Sequence, residues 1–178
     1  MYFGRMELLQ QGIVRLSPEH IANILEIYND VKAWLIGNNI TQWSKDYPDM
    51  EVLKIDLIKG DYYGLFIKDK LAGVIVINTK IDRRYFDSLN WKTNINNESL
   101  TVHRLAVCPN FQGKGIATLL MDFAEAKGKE NGFKSLVLDT YSQNEINLKF
   151  YKKRGYQKVG KIKFEHTNVP FTCFEKIL

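Results

Sequence analysis

The chain has 178 residues, 45% of them apolar, with 25 Lys and Arg against 20 Asp and Glu for a formal charge of +5. That length suits one domain with one sizeable core, and the apolar share excludes a disordered chain. No apolar run is long enough to span a membrane, Met1 to Gln11 carries no signal-peptide hydrophobic stretch, and two distant cysteines, Cys108 and Cys173, do not make a secreted scaffold.

A cytoplasmic protein with both thiols reduced is therefore expected. Its positive charges are interspersed and its basic runs are short, as in Lys152-Lys153-Arg154. This argues against a nucleic-acid surface and suits an anionic small molecule.

Residues 1–12 read as a short extension, and 13–178 as a single domain. Ile13 to Leu16 reads as a first strand. Ser17-Pro18 opens a helix, with Ser as N-cap and Pro at the first position. Ile21, Ile24, Leu25, Tyr28 and Val31 form an apolar stripe that continues to Trp34-Leu35 after a break. Gly37 to Asp49 reads as irregular. Tyr62 to Ile67 and Leu71 to Asn78 form a hairpin across Lys68-Asp69-Lys70. Lys80 to Glu98 is a long insertion with few regular signals, and Leu100 to Val107 is an apolar strand.

That strand leads through Cys108-Pro109-Asn110-Phe111 into Gln112-Gly113-Lys114-Gly115-Ile116-Ala117 and then directly into a helix, Ile116 to Glu130. A glycine-rich strand-to-helix turn presents backbone N–H groups at the positive end of a helix dipole, where a phosphate is favoured. The turn is not a P-loop, and Thr118 excludes the dinucleotide fingerprint. Ser135 to Asp139 reads as a short buried strand. Asn144 to Arg154 is a second helix, closed by Gly155. One or two terminal strands follow from Gly160.

Gln112-x-x-Gly115-x-Ala117 resembles the acetyl-CoA pyrophosphate loop of the GNAT superfamily of N-acetyltransferases. Asn144-x-x-Asn147-x-x-Phe150-Tyr151-x-x-x-Gly155-Tyr156 is similar to that superfamily's Asn-x-x-Ala-x-x-Phe-Tyr-x-x-x-Gly-Phe, with Asn147 in place of the usual Ala. Asn144 and Tyr151 stand seven residues apart, about 20° out of line on one helix face. The resemblance implies an α/β (α+β) fold with a mixed central sheet of about six to seven strands flanked by helices. It also implies acetyl-CoA-dependent transfer of an acetyl group to a primary amine, by direct attack and with no metal.

By the same resemblance, Leu105, Ala106 and Val107 would polarise the thioester carbonyl through their main chain. Gln112, Gly113, Lys114, Gly115, Ile116 and Ala117 would hold the pyrophosphate. Asn144 would bond the pantetheine arm or the phosphates, and Tyr151 would protonate the departing thiolate. A phenol suits that step, since its ordinary pKa of about 10 keeps the proton on at neutral pH. The superfamily's usual Glu base falls at Thr101, which cannot serve. His103 shares that strand face and ranks first as base. Glu98, Asp139 and a water chain remain open.

The acceptor, a small-molecule or peptide amine, would meet an aromatic pocket drawn from Trp43, Tyr85, Trp91, Asp139 and Tyr141, with Tyr47, Phe86 and Phe164 nearby. Asp82 or Asp87 would attract its ammonium. Terminal strands that pair between subunits would make a homodimer. The rival reading is a catalytically degenerate CoA-binding module.

Overall fold

A computed structural model describes residues 12–43, 47–87, 89–165 and 167–178. The expected N-terminal extension lies outside these residues, Gly12 excepted. Ser88 of the long insertion and residues 44–46 of the irregular stretch also lie outside them.

The elements run β1 (Ile13–Arg15), a 3-10 turn (Pro18–His20), α1 (Ile21–Gly37), α2 (Met50–Lys59), β2 (Tyr62–Ile67) and β3 (Lys70–Asn78). A second 3-10 turn (Arg83–Phe86), α3 (Ile95–Glu98), β4 (Ser99–Val107), a third turn (Pro109–Phe111) and α4 (Ile116–Glu130) follow. β5 (Ser135–Tyr141), α5 (Glu145–Lys153), β6 (Gln157–Ile162) and β7 (Phe171–Ile177) complete the chain. The seven strands form one mixed sheet ordered β1-β2-β3-β4-β5-β7-β6, with β4 and β5 parallel. The mixed sheet expected from sequence is thus present with seven strands.

Two compact units divide the described residues: those within 12–77 and 104–124, and those within 78–103 and 125–178. In the first, α1 buries Ile24, Ile27, Tyr28, Val31 and Leu35 in a core shared with Leu16, Leu53, Leu57, Tyr62, Val74 and Val76. Each such aliphatic side chain contributes about 1.5–3 kcal/mol by leaving water. The expected break before Trp34 is absent: α1 runs on to Gly37, and the Asn38 N–H closes it on the Trp34 and Leu35 carbonyls. The Tyr28 and Tyr62 hydroxyls meet at 2.6 Å, and Tyr28 also donates to the Arg104 carbonyl at 3.0 Å. One buried phenol pair thereby ties α1 and β2 to β4.

Gly73 of β3 lets the first turn of α4 approach closely. A Cβ there would come within 2.8 Å of the Ile116 Cγ2 and 3.1 Å of the Ala106 carbonyl oxygen. The start of α4 is thereby held against β3.

In the second unit, β7 pairs antiparallel with both β5 and β6. Buried Glu175 of β7 accepts from the Lys92 N–H at 2.7 Å, the Thr93 N–H at 3.1 Å and the Thr93 hydroxyl at 2.7 Å. A single carboxylate so orders the end of the long insertion. Glu125 of α4 pairs with Arg154 at 2.8 Å and Lys176 at 2.6 Å. Burial works against its charge, yet the two cations hold its pKa below the ordinary carboxylate value.

Candidate active site

In the first unit, β4 turns sharply at Arg104, a non-glycine residue with φ 48° in mid-strand. That left-handed conformation is uncommon for a long side chain and needs holding. Tyr28 bonds the Arg104 carbonyl, while Asp56 and the Tyr47 hydroxyl (3.0 Å) take the guanidinium. Leu105, Ala106 and Val107 follow this turn. The Cys108 N–H then donates to the Ala72 carbonyl at 3.0 Å and starts the loop.

The loop folds its polar side chains back on itself. Gln112 Nε2 donates to the Val107 carbonyl at 3.4 Å. Lys114 Nζ donates to the Asn110 carbonyl at 2.9 Å and lies over the Phe111 ring. Main chain is what remains for a ligand. Gly113 and Gly115 have φ of 72° and 83°, and nothing lies within 4 Å of where a Cβ would sit on either. Backbone conformation, rather than crowding, therefore requires glycine here. The Leu119 N–H reaches the Gly115 carbonyl at 3.0 Å. The N–H groups of Ile116, Ala117 and Thr118 thus stand in the first turn of α4, where the helix supplies no acceptor. These are the groups that an anion would use.

The second unit gathers most of the other candidates. Tyr85, fully buried, donates to Asp139 Oδ2 at 2.6 Å. Trp91 Nε1 donates to the Tyr85 carbonyl at 2.7 Å, with the two rings 5.2 Å apart. Asp139 is half-buried. Loss of water pushes its pKa up to about 6 although Tyr85 favours the carboxylate, and the Asp82 charge adds to the rise. Tyr151 is 5% exposed, among the rings of Phe150, Tyr156 and Phe174. Burial, with the Asp139 charge adding to it, pushes its phenol above the ordinary value.

Asn144 caps α5, and its side chain accepts from the Asn147 N–H at 3.1 Å. That oxygen is already employed in holding the helix start. Asn147, where the resemblance has Ala, donates to the Thr140 hydroxyl at 3.1 Å and ties α5 to β5. His103 Nε2 lies 3.3 Å from the Lys80 carbonyl, and the buried Thr101 hydroxyl has no hydrogen-bond partner among the described residues.

The other two substrate candidates have ring partners of their own. Trp43 belongs to the first unit and packs edge-on against Tyr28. Tyr141 packs edge-on against Phe171. Asp82 is spent on its own neighbourhood, accepting from the Arg84 N–H at 2.9 Å and pairing with the Arg84 guanidinium at 3.0 Å. It has less to offer an ammonium than expected. Among the described residues no three His, Cys, Asp or Glu side chains are placed to hold a metal ion.

The model of the acetyltransferase (GNAT) family matches residues 25–156. The chain belongs to the GNAT acetyltransferase family. It is an acyltransferase by that membership and by its relatives. An uncharacterised N-acetyltransferase of Methanocaldococcus jannaschii is 31% identical over 155 residues, covering 78% of this chain and 67% of that protein. The uncharacterised N-acetyltransferase YesJ of Bacillus subtilis is 25% identical over 129 residues, 71% of each.

Among solved structures, a GNAT-family acetyltransferase from Streptococcus agalactiae superposes with a TM-score of 0.77 at 23% identity, covering 93% of this chain and 94% of its own. PaiA N-acetyltransferase from Thermoplasma acidophilum, in complex with coenzyme A, gives 0.69 at 21% identity, covering 93% and 98%. In this GNAT chain the hydrogen bond from Tyr85 to Asp139 is a pairing that sequence reasoning missed. No local motif announces it, because Tyr85 sits in an insertion 54 residues before Asp139.

Proposed function

We propose that this chain transfers the acetyl group of acetyl-CoA to a primary amine by direct attack, without a covalent enzyme intermediate. The observation that carries this reading is the loop at the start of α4. Gly113 and Gly115 are left-handed, the space over them is open, and the first-turn N–H groups are unclaimed by the helix. Such a cradle fits a pyrophosphate. Gln112 to Ala117 would hold it through main chain, and Asn144 would add a side-chain contact.

Acetyl-CoA supplies the acetyl group activated as a thioester. The N–H groups of Leu105 to Val107 donate to the carbonyl oxygen as it gains charge. Tyr151 keeps its proton at neutral pH and meets the departing thiolate as a donor. A carboxylate or imidazole removes the proton that the attacking nitrogen must lose. What supports Asp139 for that task is the 2.6 Å hydrogen bond from Tyr85 that fixes its orientation, together with a pKa near 6. Tyr85, Trp91 and Tyr141 would flank the acceptor. The rival reading, a CoA-binding module without catalysis, draws on Thr101, a buried hydroxyl where the superfamily carries its base.

Calorimetric titration of acetyl-CoA into the protein, with Gly115→Glu as control, tests the cradle. Micromolar binding lost in the variant is expected. Any side chain at φ 83° costs about 1–2 kcal/mol, and this one adds a negative charge to an anion site. An amine panel, read by acetylated product, then separates the enzyme from the silent module. Absence of acetyl-CoA binding overturns both readings.

A further inference from the structure

The second unit carries a depression of about 640 Å³ between the 3-10 turn Arg83–Phe86 and the end of β6, lined by Arg83, Arg84, Asp87, Lys161, Lys163 and Glu165. We infer that this depression binds a carboxylate or phosphate on the acyl acceptor, so that the enzyme acts on amines that are themselves acidic. The inference rests on the N-acetyltransferase reading and supplies its substrate class.

Four observations carry it. First, the lining holds four cationic side chains against two carboxylates. Second, one cation is built in. Arg84 Nη1 donates to both Asp82 oxygens, at 3.1 and 3.0 Å, and the guanidinium lies 4.9 Å over the Phe164 ring, which fixes its plane although Asp82 offsets part of its charge. A fixed, planar donor fork suits an oxyanion with little ordering cost. Third, among the described residues Arg83, Lys161 and Lys163 are in no ion pair, so these three positive charges are offset only by the unpaired presence of Asp87 and Glu165 in the same lining.

Fourth, the depression is joined to the candidate chemistry by its own walls. The turn that bears Arg83 and Arg84 also bears Tyr85, which bonds Asp139. Phe164, under Arg84, packs edge-on against Phe171 at 4.8 Å, and Phe171 packs against Tyr141 at the end of β5. The depression and Asp139 thus belong to the same unit and share the Arg83–Phe86 turn. The aspartates expected to draw an ammonium are outweighed by arginines and lysines around them.

The test compares paired amines of similar length: 5-aminovalerate against pentylamine for a carboxylate, and O-phosphoethanolamine against ethanolamine for a phosphate. At low salt, kcat/KM for at least one anion-bearing member should exceed that of its partner lacking the anion by at least tenfold, and the preferred pair identifies the anion. Lys161→Gln with Lys163→Gln should erase that preference while leaving the kcat/KM of the partner that lacks the anion within about twofold. A wild-type preference for the partners that lack the anion, or an anion preference that survives both substitutions, overturns the inference.

A direct readout separates this failure from failure of the acetyltransferase reading. Glutarate and inorganic phosphate are titrated into the protein, monitored by the two-dimensional NMR shifts of the Arg83–Phe86 and Lys161–Lys163 amides. Saturable shifts at those amides, lost in the double variant, support the site even if no amine in the panel is acetylated. The lack of any shift overturns it even if amines that lack the anion are good substrates.

Discussion

Replacing Asp139 by Asn removes a charge and almost nothing else, because the amide oxygen still accepts from Tyr85. The carboxyl stands near 6 in the folded protein against an ordinary 3.8. Two pH units at about 1.4 kcal/mol each set an upper figure of about 3 kcal/mol for holding this carboxylate ionised. Its partial exposure lowers the working expectation to about 1.5–3 kcal/mol.

The sign follows from proton binding. Below about pH 4 both folded and unfolded chains are protonated, and the substitution is close to neutral. Between about 4 and 6 the folded protein keeps a proton that the unfolded chain has released, so wild-type stability falls as pH rises. Above about 6 the loss is complete. Asp139→Asn lacks this slope. Urea unfolding at pH 4.5, 5.5, 6.5 and 7.5 should show the variant gaining on the wild type by about 1 M in midpoint at the upper end, for a slope near 2 kcal/mol per M. A gap that stays flat with pH, or a wild type that gains on the variant, refutes the argument. The same variant tests the base. Its kcat/KM should fall about 10²–10⁴-fold and lose the rising limb near pH 6, whereas His103→Ala should keep that limb.

Tyr151→Phe keeps the ring among Phe150, Tyr156 and Phe174 and removes only the hydroxyl. Stability should change by less than about 1 kcal/mol and acetyl-CoA affinity by less than threefold, while kcat falls at least a hundredfold. A variant with unimpaired kcat excludes the phenol as donor. Glu125→Gln leaves Arg154 and Lys176 facing a neutral amide, with Glu125 and Arg154 only 15% and 12% exposed. It should cost about 2–3 kcal/mol at pH 7 in chemical denaturation. Glu125 is held below its ordinary pKa, so the deficit is present above about pH 4 and fades as pH falls further. A deficit unchanged at pH 3 would count against the ion pairs as its cause.

The parts of the fold that sequence reading captured are those whose signal is local. The stripe of α4 and the glycine pair before it lie within a few residues of one another, and left-handed backbone explains the glycines directly. A second helix before the hairpin is expected from the element order, but α2 could not be given a range because its pattern is impure. Leu53, Asp56 and Leu57 are buried, with the polar Asp56 among them, while Met50, Ile55 and Ile58 face solvent. Its punctuation was nevertheless readable. Asp49 caps it by accepting from the Val52 N–H at 2.8 Å, and Gly60 ends it at φ 72°. The long insertion could not be read, because its order comes from partners more than fifty residues away: Glu175 for Lys92 and Thr93, and Asp139 for Tyr85. Asn144 was visible through its motif, but its capping bond to Asn147 was not. Trp43 and the Tyr85 cluster were grouped by aromatic character alone, and that grouping says nothing about which unit each joins.

The two cysteines differ in a way that governs how turnover is best followed. Cys173 is fully buried, and loss of water pushes its thiol well above the ordinary value, with the Asp139 charge adding to this. Since the thiolate is the reactive species, a chromogenic disulfide reagent should leave it untouched in the native protein. Cys108 is half-buried at the entrance to the glycine loop, and both cysteines are free. Native titration should therefore count at most one sulfur per chain, and titration in denaturant two. A continuous assay for released coenzyme thiol then carries a background from a single, identifiable position. Cys108→Ala should give a protein whose absorbance trace reports product alone.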